Sequence, residues 1–209
     1  MVGEIRIYVE GGGDQRSGKA ALREGFSKFL SSVREKARTQ RVRWNIIACG
    51  STRNAVEDYQ NALERHRDAA NILLVDSDGP LLLPPLDYLK RNGGFDVEGM
   101  SPKLVHLMVQ VMETWLLSDR GALTRFYGAG FNRNALPRRS NMEEVDKRDV
   151  YQALSDATLN TQKGEYHKIR HGPKILAMLD ADRVRRRAAY CDRFFRTLEE
   201  LIEENGTLP

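Results

Sequence analysis

Two short apolar runs stop abruptly at carboxylates and glycine, and this pattern narrows the choice of fold more than any other feature of the chain. The first is Ile5-Arg6-Ile7-Tyr8-Val9, ending in Glu10-Gly11-Gly12-Gly13-Asp14. The second is Ile72-Leu73-Leu74-Val75, ending in Asp76-Ser77-Asp78-Gly79. Apolar runs of this length, bounded by turn residues, read as strands, and the unbroken second run reads as a buried parallel one. Between them lies an amphipathic stretch over 17–37, with Ala21, Leu22, Phe26, Phe29, Leu30 and Val33 on its apolar side, which reads as a helix. Residues 42–49 read as a further strand, and Gly50-Ser51-Thr52 offers an N-cap for a helix from about Arg53 to Arg67. The order strand–helix–strand–helix–strand predicts an α/β fold: a mainly parallel, Rossmann-like sheet with right-handed crossovers, flanked by helices.

The rest of the chain is less sharply patterned. Residues 79–102 are rich in Pro and Gly, with a short helix expected at Leu86–Arg91. Residues 103–111 read as a fourth strand, followed by a helix from Glu113 to Tyr127. Residues 128–142 read as an irregular basic loop. Helices are expected over 143–157, 172–180 and 181–203, with Pro173 in a first helical turn. This divides the chain into an α/β core over 1–127 and a mostly helical region over 128–209, packed on the core or forming one domain with it.

At 209 residues the chain is long enough for one good core. No apolar run approaches the roughly 20 residues that span a membrane. The N-terminus runs almost at once into a strand, unlike a signal peptide. Cys49 and Cys191 are too few for a disulfide framework or a cysteine metal cluster. A cytoplasmic protein is expected. The net charge of +4 permits a polyanionic partner without requiring one, so the distribution of charge matters more. Basic residues gather at Arg34–Arg43, Arg133–Arg139, Lys168–Lys174 and Arg183–Arg187. Any one such run can be a solvated face.

Carboxylates at the C-terminal ends of neighbouring parallel strands converge on one crevice. Grouped there they repel one another unless a cation lies between them, and hard oxygen donors suit Mg²⁺ or Mn²⁺. Glu10 and Asp76 are the expected first ligands, with Asp78 and Asp14 holding a second ion or orienting water. Glu113 either joins the cluster or simply favours a helix N-terminus. A phosphodiester substrate needs both carboxylates for metal and cations for its backbone. Lys168, Arg170, His171 and Lys174 are the candidates for the second task, with a solvated turn as the competing reading. Gly13-Asp14-Gln15-Arg16-Ser17-Gly18-Lys19 matches most of a phosphate-binding loop, but Ala20 stands where that motif needs a metal-binding hydroxyl. Phe126, Tyr127 and Phe131 could stack on bases or anchor loops. His106, inside an apolar strand, reads as a core histidine, and Trp115 as core.

Glu10-Gly11-Gly12-Gly13-Asp14 together with Asp76-Ser77-Asp78 resembles the Toprim domain, the topoisomerase–primase module. There a Glu ends the first strand and an Asp-x-Asp the third. The acid at Asp14 is similar to the nuclease branch related to the overcoming-lysogenisation-defect proteins. Val9-Glu10-Gly11, the Asp76-Ser77-Asp78 strand end, Gln110-Val111-Met112-Glu113-Thr114-Trp115 and the tail from Tyr166-His167-Lys168 to Leu198 resemble an uncharacterised prokaryotic Toprim-like family, the domain of unknown function 4276. The resemblance implies a Toprim-like sheet, a metal site and a role in defence against phage or in mobile-element conflict. The leading expectation is a divalent-metal-dependent nuclease acting on DNA or RNA. The alternatives are a non-catalytic module that binds nucleic acid or a partner ATPase, and an NTP-binding protein.

Overall fold

The computed structural model describes residues 2–206. Four strands, β1 (Glu4–Glu10), β2 (Arg43–Gly50), β3 (Ala70–Asp76) and β4 (Val105–Met108), form one sheet in the order β2-β1-β3-β4. Every pairing is parallel, as the strand–helix alternation predicts. The register sets Ile7 of β1 against Ile46 on one side and Ile72 on the other. All seven residues of β3 are buried, as expected of an inner parallel strand.

Side-chain alternation along these strands feeds two cores. Ile5, Ile7, Val9, Ile72 and Leu74 face α1 (Arg16–Phe29), α2 (Ser31–Thr39), α5 (Met112–Ser118) and α10 (Ala189–Gly206). Tyr8, Leu73, Val75, Val105 and Leu107 face α3 (Thr52–Arg65) and α4 (Pro85–Gly93). Ser51 caps α3 as predicted, its hydroxyl accepting the Asn54 amide at 3.2 Å. The remaining helices are α6 (Arg120–Tyr127), α7 (Lys147–Thr158), α8 (Lys168–Leu176) and α9 (Ala181–Arg185). No helix of the described residues is long and apolar enough to cross a membrane.

Several long helices expected from periodicity are broken in two. The 17–37 stretch bends at Leu30, whose backbone leaves helical geometry, and Phe26, Phe29, Leu30 and Val33 all still reach the core. The 113–127 stretch breaks at Asp119, which caps α6 by accepting the Gly121 and Ala122 amides. The 181–203 stretch is interrupted between Arg185 and Ala189. The fourth strand is shorter than the apolar run, because Val111 already leads into α5. The helix expected over 172–180 instead starts at Lys168, where the His167 ring caps the Arg170 amide, so Pro173 lies inside the helix and not in its first turn. Irregular 128–142 contains one short 3₁₀ turn, Arg133–Ala135, and a second begins at Met142.

Glycines let α8 lie close along α1. A Cβ on Gly25 would meet the Pro173 carbonyl oxygen at 2.6 Å, and Gly18 lies against Ile169. This close approach brings the start of α8, and with it Lys168, over the C-terminal edge of the sheet.

Candidate metal and phosphate site

From β1 the chain crosses to β2 on one side and then to β3 on the other. The crossover direction therefore reverses between β1 and β3, and in open parallel sheets ligands bind outside the strand ends at such a point. Glu10 ends β1 and Asp76 ends β3, so the two carboxylates flank it. One Glu10 oxygen accepts the Asp76 backbone amide at 3.0 Å. Asp76 is only 6% exposed. Its Oδ1 accepts the amide of Met112, the first residue of α5, at 2.9 Å, and Lys168 Nζ approaches Oδ2 at 3.4 Å.

Burial raises the pKa of both acids, and their neighbours add to the effect. For Glu10, hydrogen bonds from the Asp76 amide and Thr52 offset only part of the burial effect, and the Asp78 charge opposes ionisation further. For Asp76, Lys168 pulls the value down, but burial together with Glu10 and Glu113 pushes it well up. Burial thus makes the charged pair costly, Lys168 offsets only part of that cost, and a bound cation would lower it further.

Beneath Asp76 lies Glu113, fully buried at the start of α5. Tyr166 donates to its Oε1 at 2.8 Å and Tyr151 to its Oε2 at 3.1 Å. Burial and the Glu113 charge raise both phenol pKa values, so both remain donors. Lys168 Nζ lies 4.0 Å from Glu113 Oε2. Burial works against the lysine charge, yet Asp76, Glu113 and Tyr151 outweigh it and hold the ammonium above its ordinary range. Glu113 faces its two tyrosines and the lysine, and so forms the seat of Lys168.

Asp78 follows β3 in left-handed backbone geometry, φ 57°, which Asp tolerates better than most residues. The Asp78 amide donates to the Gln110 carbonyl at 2.8 Å, and Tyr88 donates to the Ser77 carbonyl, so this turn is fastened from two sides. Its carboxylate takes Lys147 Nζ at 2.5 Å. Gln110 accepts the Lys147 amide at 2.9 Å and so fixes the start of α7. Neither Lys147 nor Tyr151 was predicted. Both lie on α7, and no local pattern signals that α7 packs against α5 and so reaches the strand ends.

The other expected site residues separate. Asp14 is exposed on the turn before α1 and makes no hydrogen bond or ion pair among the described residues. His171 does not face a polyanion. It is 7% exposed, bonded through Nδ1 to the Tyr127 hydroxyl at 3.0 Å, and packed against Phe126 and Tyr127. Of the four members of the expected basic group, only Lys168 reaches the carboxylates. Arg170, two positions on, faces the other way, and with Lys174 it makes an exposed i, i+4 pair. Tyr127 is buried, stacked on Phe131 and packed edge-on against Phe126, which anchors this region. His106 is fully buried and bonds Arg193 at 3.0 Å, as a core histidine should.

The Gly11–Lys19 segment is folded on itself. Gly11, Gly12 and Gly13 all have positive φ, and a Cβ on Gly12 would meet the Lys19 Cα at 2.8 Å. The Lys19 ammonium donates to the Cys49 carbonyl at 3.1 Å. A phosphate-binding loop needs an open cradle and a free lysine. This segment offers neither.

The donors of Glu10 and Asp76, with Asp78 nearby, match a hard divalent cation in chemistry. Among the described residues no three His, Cys, Asp or Glu side chains are arranged around one metal position, and Lys168 and Lys147 hold the carboxylates instead. The cleft between Glu10, Asp76, Met112 and Lys168 has a volume of only about 10 Å³. The Lys168 side chain is 42% exposed, so it can turn outward and widen the cleft.

No curated protein and no solved structure matches the chain. A family model for a domain of unknown function (DUF4276) matches residues 9–199, nearly the whole chain, and the protein belongs to that family.

Proposed function

We propose that this protein is a divalent-metal-dependent phosphodiester hydrolase of Toprim type acting on DNA or RNA, with Mg²⁺ or Mn²⁺ held by Glu10 and Asp76 and assisted by Asp78. The observation that carries the reading is the buried carboxylate pair Glu10–Asp76 at the point where the crossover direction reverses, with a lysine poised over it. The resemblance of Glu10-Gly11 and Asp76-Ser77-Asp78 to Toprim nucleases supports the same reaction and suggests a role in defence against phage or in mobile-element conflict. When bound, the metal would ease deprotonation of the attacking water and offset charge building on the phosphoryl group.

The chain's own residues do the rest. Met112 and the Asp76 amide orient the two carboxylates. Asp76, Glu113 and Tyr151 hold Lys168 charged, and on swinging outward it meets a non-bridging phosphate oxygen. Lys147 pairs with Asp78 at the mouth of the crevice. The test is incubation of the protein with single- and double-stranded DNA and RNA in Mg²⁺ or Mn²⁺, with Asp76→Ala alongside. Cleavage should require metal and vanish in the variant. Cleavage that persists in Asp76→Ala or in EDTA sinks the proposal.

One observation favours a second reading. Lys168 and Lys147 already pair with Asp76 and Asp78. Such an arrangement also suits a non-catalytic module that binds nucleic acid or a partner ATPase. That module would bind nucleic acid without any response to Mg²⁺ or Mn²⁺.

A further inference from the structure

A cluster of arginines lies away from the carboxylates, at the other end of α5. That helix begins at Met112, which touches Asp76, and ends at Ser118, about 10 Å away along its axis. Beside Ser118 is an open hollow of about 250 Å³ lined by Arg120, Arg133, Arg183, Arg186 and Arg187. Two of these five are fixed by carbonyls. Arg187 donates to Ser118 at 3.2 Å and to Arg139 at 2.5 Å, and Arg120 donates to Leu136 and Pro137. Carbonyl bonds aim the guanidiniums without neutralising them.

Of the nearby acids, Asp180 neutralises one of the five, pairing with Arg183 at 3.1 Å, and buried Asp119 is taken up by the backbone amides of Gly121, Ala122 and Asp180. Neither Arg133 nor Arg186 has an ion-pair partner among the described residues, and both are exposed. Burial and repulsion from Arg187, Arg133 and Arg138 lower the Arg120 pKa. Guanidinium forks in such number suit the paired oxygens of a phosphate. Exposed Arg138 and Arg139 lie beside the hollow, Arg138 repelling Arg120 and the Arg139 carbonyl bonded by Arg187, so the group holds more cations than one phosphate needs.

We propose that this arginine hollow is a second phosphate-binding site, and that it takes the backbone of a polynucleotide. The inference rests on the proposed hydrolase reading for its substrate class. It adds a second backbone contact for that substrate, apart from the Glu10–Asp76 crevice.

The experiment uses the full chain in EDTA, so that binding is read without cleavage. Labelled single-stranded DNA and RNA oligonucleotides are titrated by anisotropy at several salt concentrations. The variant Arg133→Glu/Arg186→Glu changes two exposed, unpaired residues, and an unchanged melting temperature verifies its fold. Arg65→Glu/Arg67→Glu, at the end of α3, makes the same change in net charge elsewhere. The hollow variant should lose affinity by about tenfold or more and flatten the log–log salt slope by about 1.4 for single strands. The α3 variant should bind within about twofold of the wild type, since net charge alone acts weakly through salt. Equal losses in both variants, or an unchanged slope in the hollow variant, overturn the site. If inorganic phosphate raises the wild-type melting temperature as much as the oligonucleotide does, and the hollow variant abolishes both effects, the site serves free phosphate and the polynucleotide assignment falls. Oligonucleotide binding through Arg133 and Arg186 without any metal-dependent cleavage defeats the hydrolase reading alone. Cleavage that is indifferent to them defeats this inference alone.

Discussion

Asp76 sits where stability and function pull in opposite directions. Its carboxylate is almost fully buried, with two other acids acting on it and one lysine opposing them. Because its folded pKa is raised, the native state holds the proton more tightly than the unfolded chain, and stability falls as pH rises through that range. Asp76→Asn keeps the shape and an acceptor for the Met112 amide but removes the charge. Lys168, partly exposed, can rehydrate. The variant should be more stable than the wild type at pH 8 in EDTA, by about 1–2 kcal/mol or a few degrees in melting temperature. Excess Mn²⁺ should then raise the wild-type melting temperature and leave the variant unmoved. A variant less stable than the wild type in EDTA would mean that the Lys168 ion pair outweighs the burial cost. At this scale Glu10, Asp76 and Asp78 were legible, because an apolar run broken by a carboxylate is a local signal. Lys147, Tyr151 and the tyrosine seat of Glu113 were not. Their meeting depends on how α7 and α8 dock, and a single sequence carries no local mark of that.

The helices show which boundaries periodicity can find. Ser51 announced α3, while α10 starts with help from a distant residue. Glu143, in the 3₁₀ turn before α7, is 7% exposed and accepts the Tyr190 amide at 2.9 Å, at the first turn of α10. No reading of residues 181–203 alone would find a cap supplied from 143. Burial pushes the Glu143 carboxyl up to about 7, although amides of Tyr190, Ala189 and Cys191 pull it down. The folded pKa lies above the unfolded value of 4.5, so this group's contribution is fully present below about pH 4.5 and is lost as pH rises through 7. Between pH 5 and pH 8 the protein should lose up to about 3 kcal/mol through this one residue. Glu143→Gln keeps the acceptor and removes the titration. Denaturant unfolding at both pH values should find the loss reduced in the variant, through a gain at pH 8. An identical pH dependence in both proteins would show that the cap is ionised at no cost.

At the scale of the whole molecule, the parallel α/β class followed from the order of the elements, but the division at 127 describes the sequence better than the packing. Trp115, at the centre of the larger core, packs against Phe26 and Phe29 from α1 and Phe194 from α10. Phe195 meets Phe29 edge-on at 5.4 Å. Leu154, Ile175, Leu176, Phe194, Phe195 and Leu198 are all fully buried in the same cluster as the β1 and β3 side chains. Removing residues 128–209 would uncover this face of the sheet. Each large apolar side chain left exposed forfeits about 1.5–3 kcal/mol, and several together exceed the 5–15 kcal/mol that stabilises a typical domain. The crevice would go with it, since Lys168 reaches Asp76 only because Gly18 and Gly25 let α8 lie on α1. A fragment of residues 1–127 should therefore show no cooperative thermal transition and should bind a hydrophobic dye, whereas the full chain unfolds in one step. Adding the 128–209 fragment in trans should restore cooperativity if the two halves form one core. A 1–127 fragment that melts cooperatively by itself would establish an independent α/β domain and make the helical half an accessory to it.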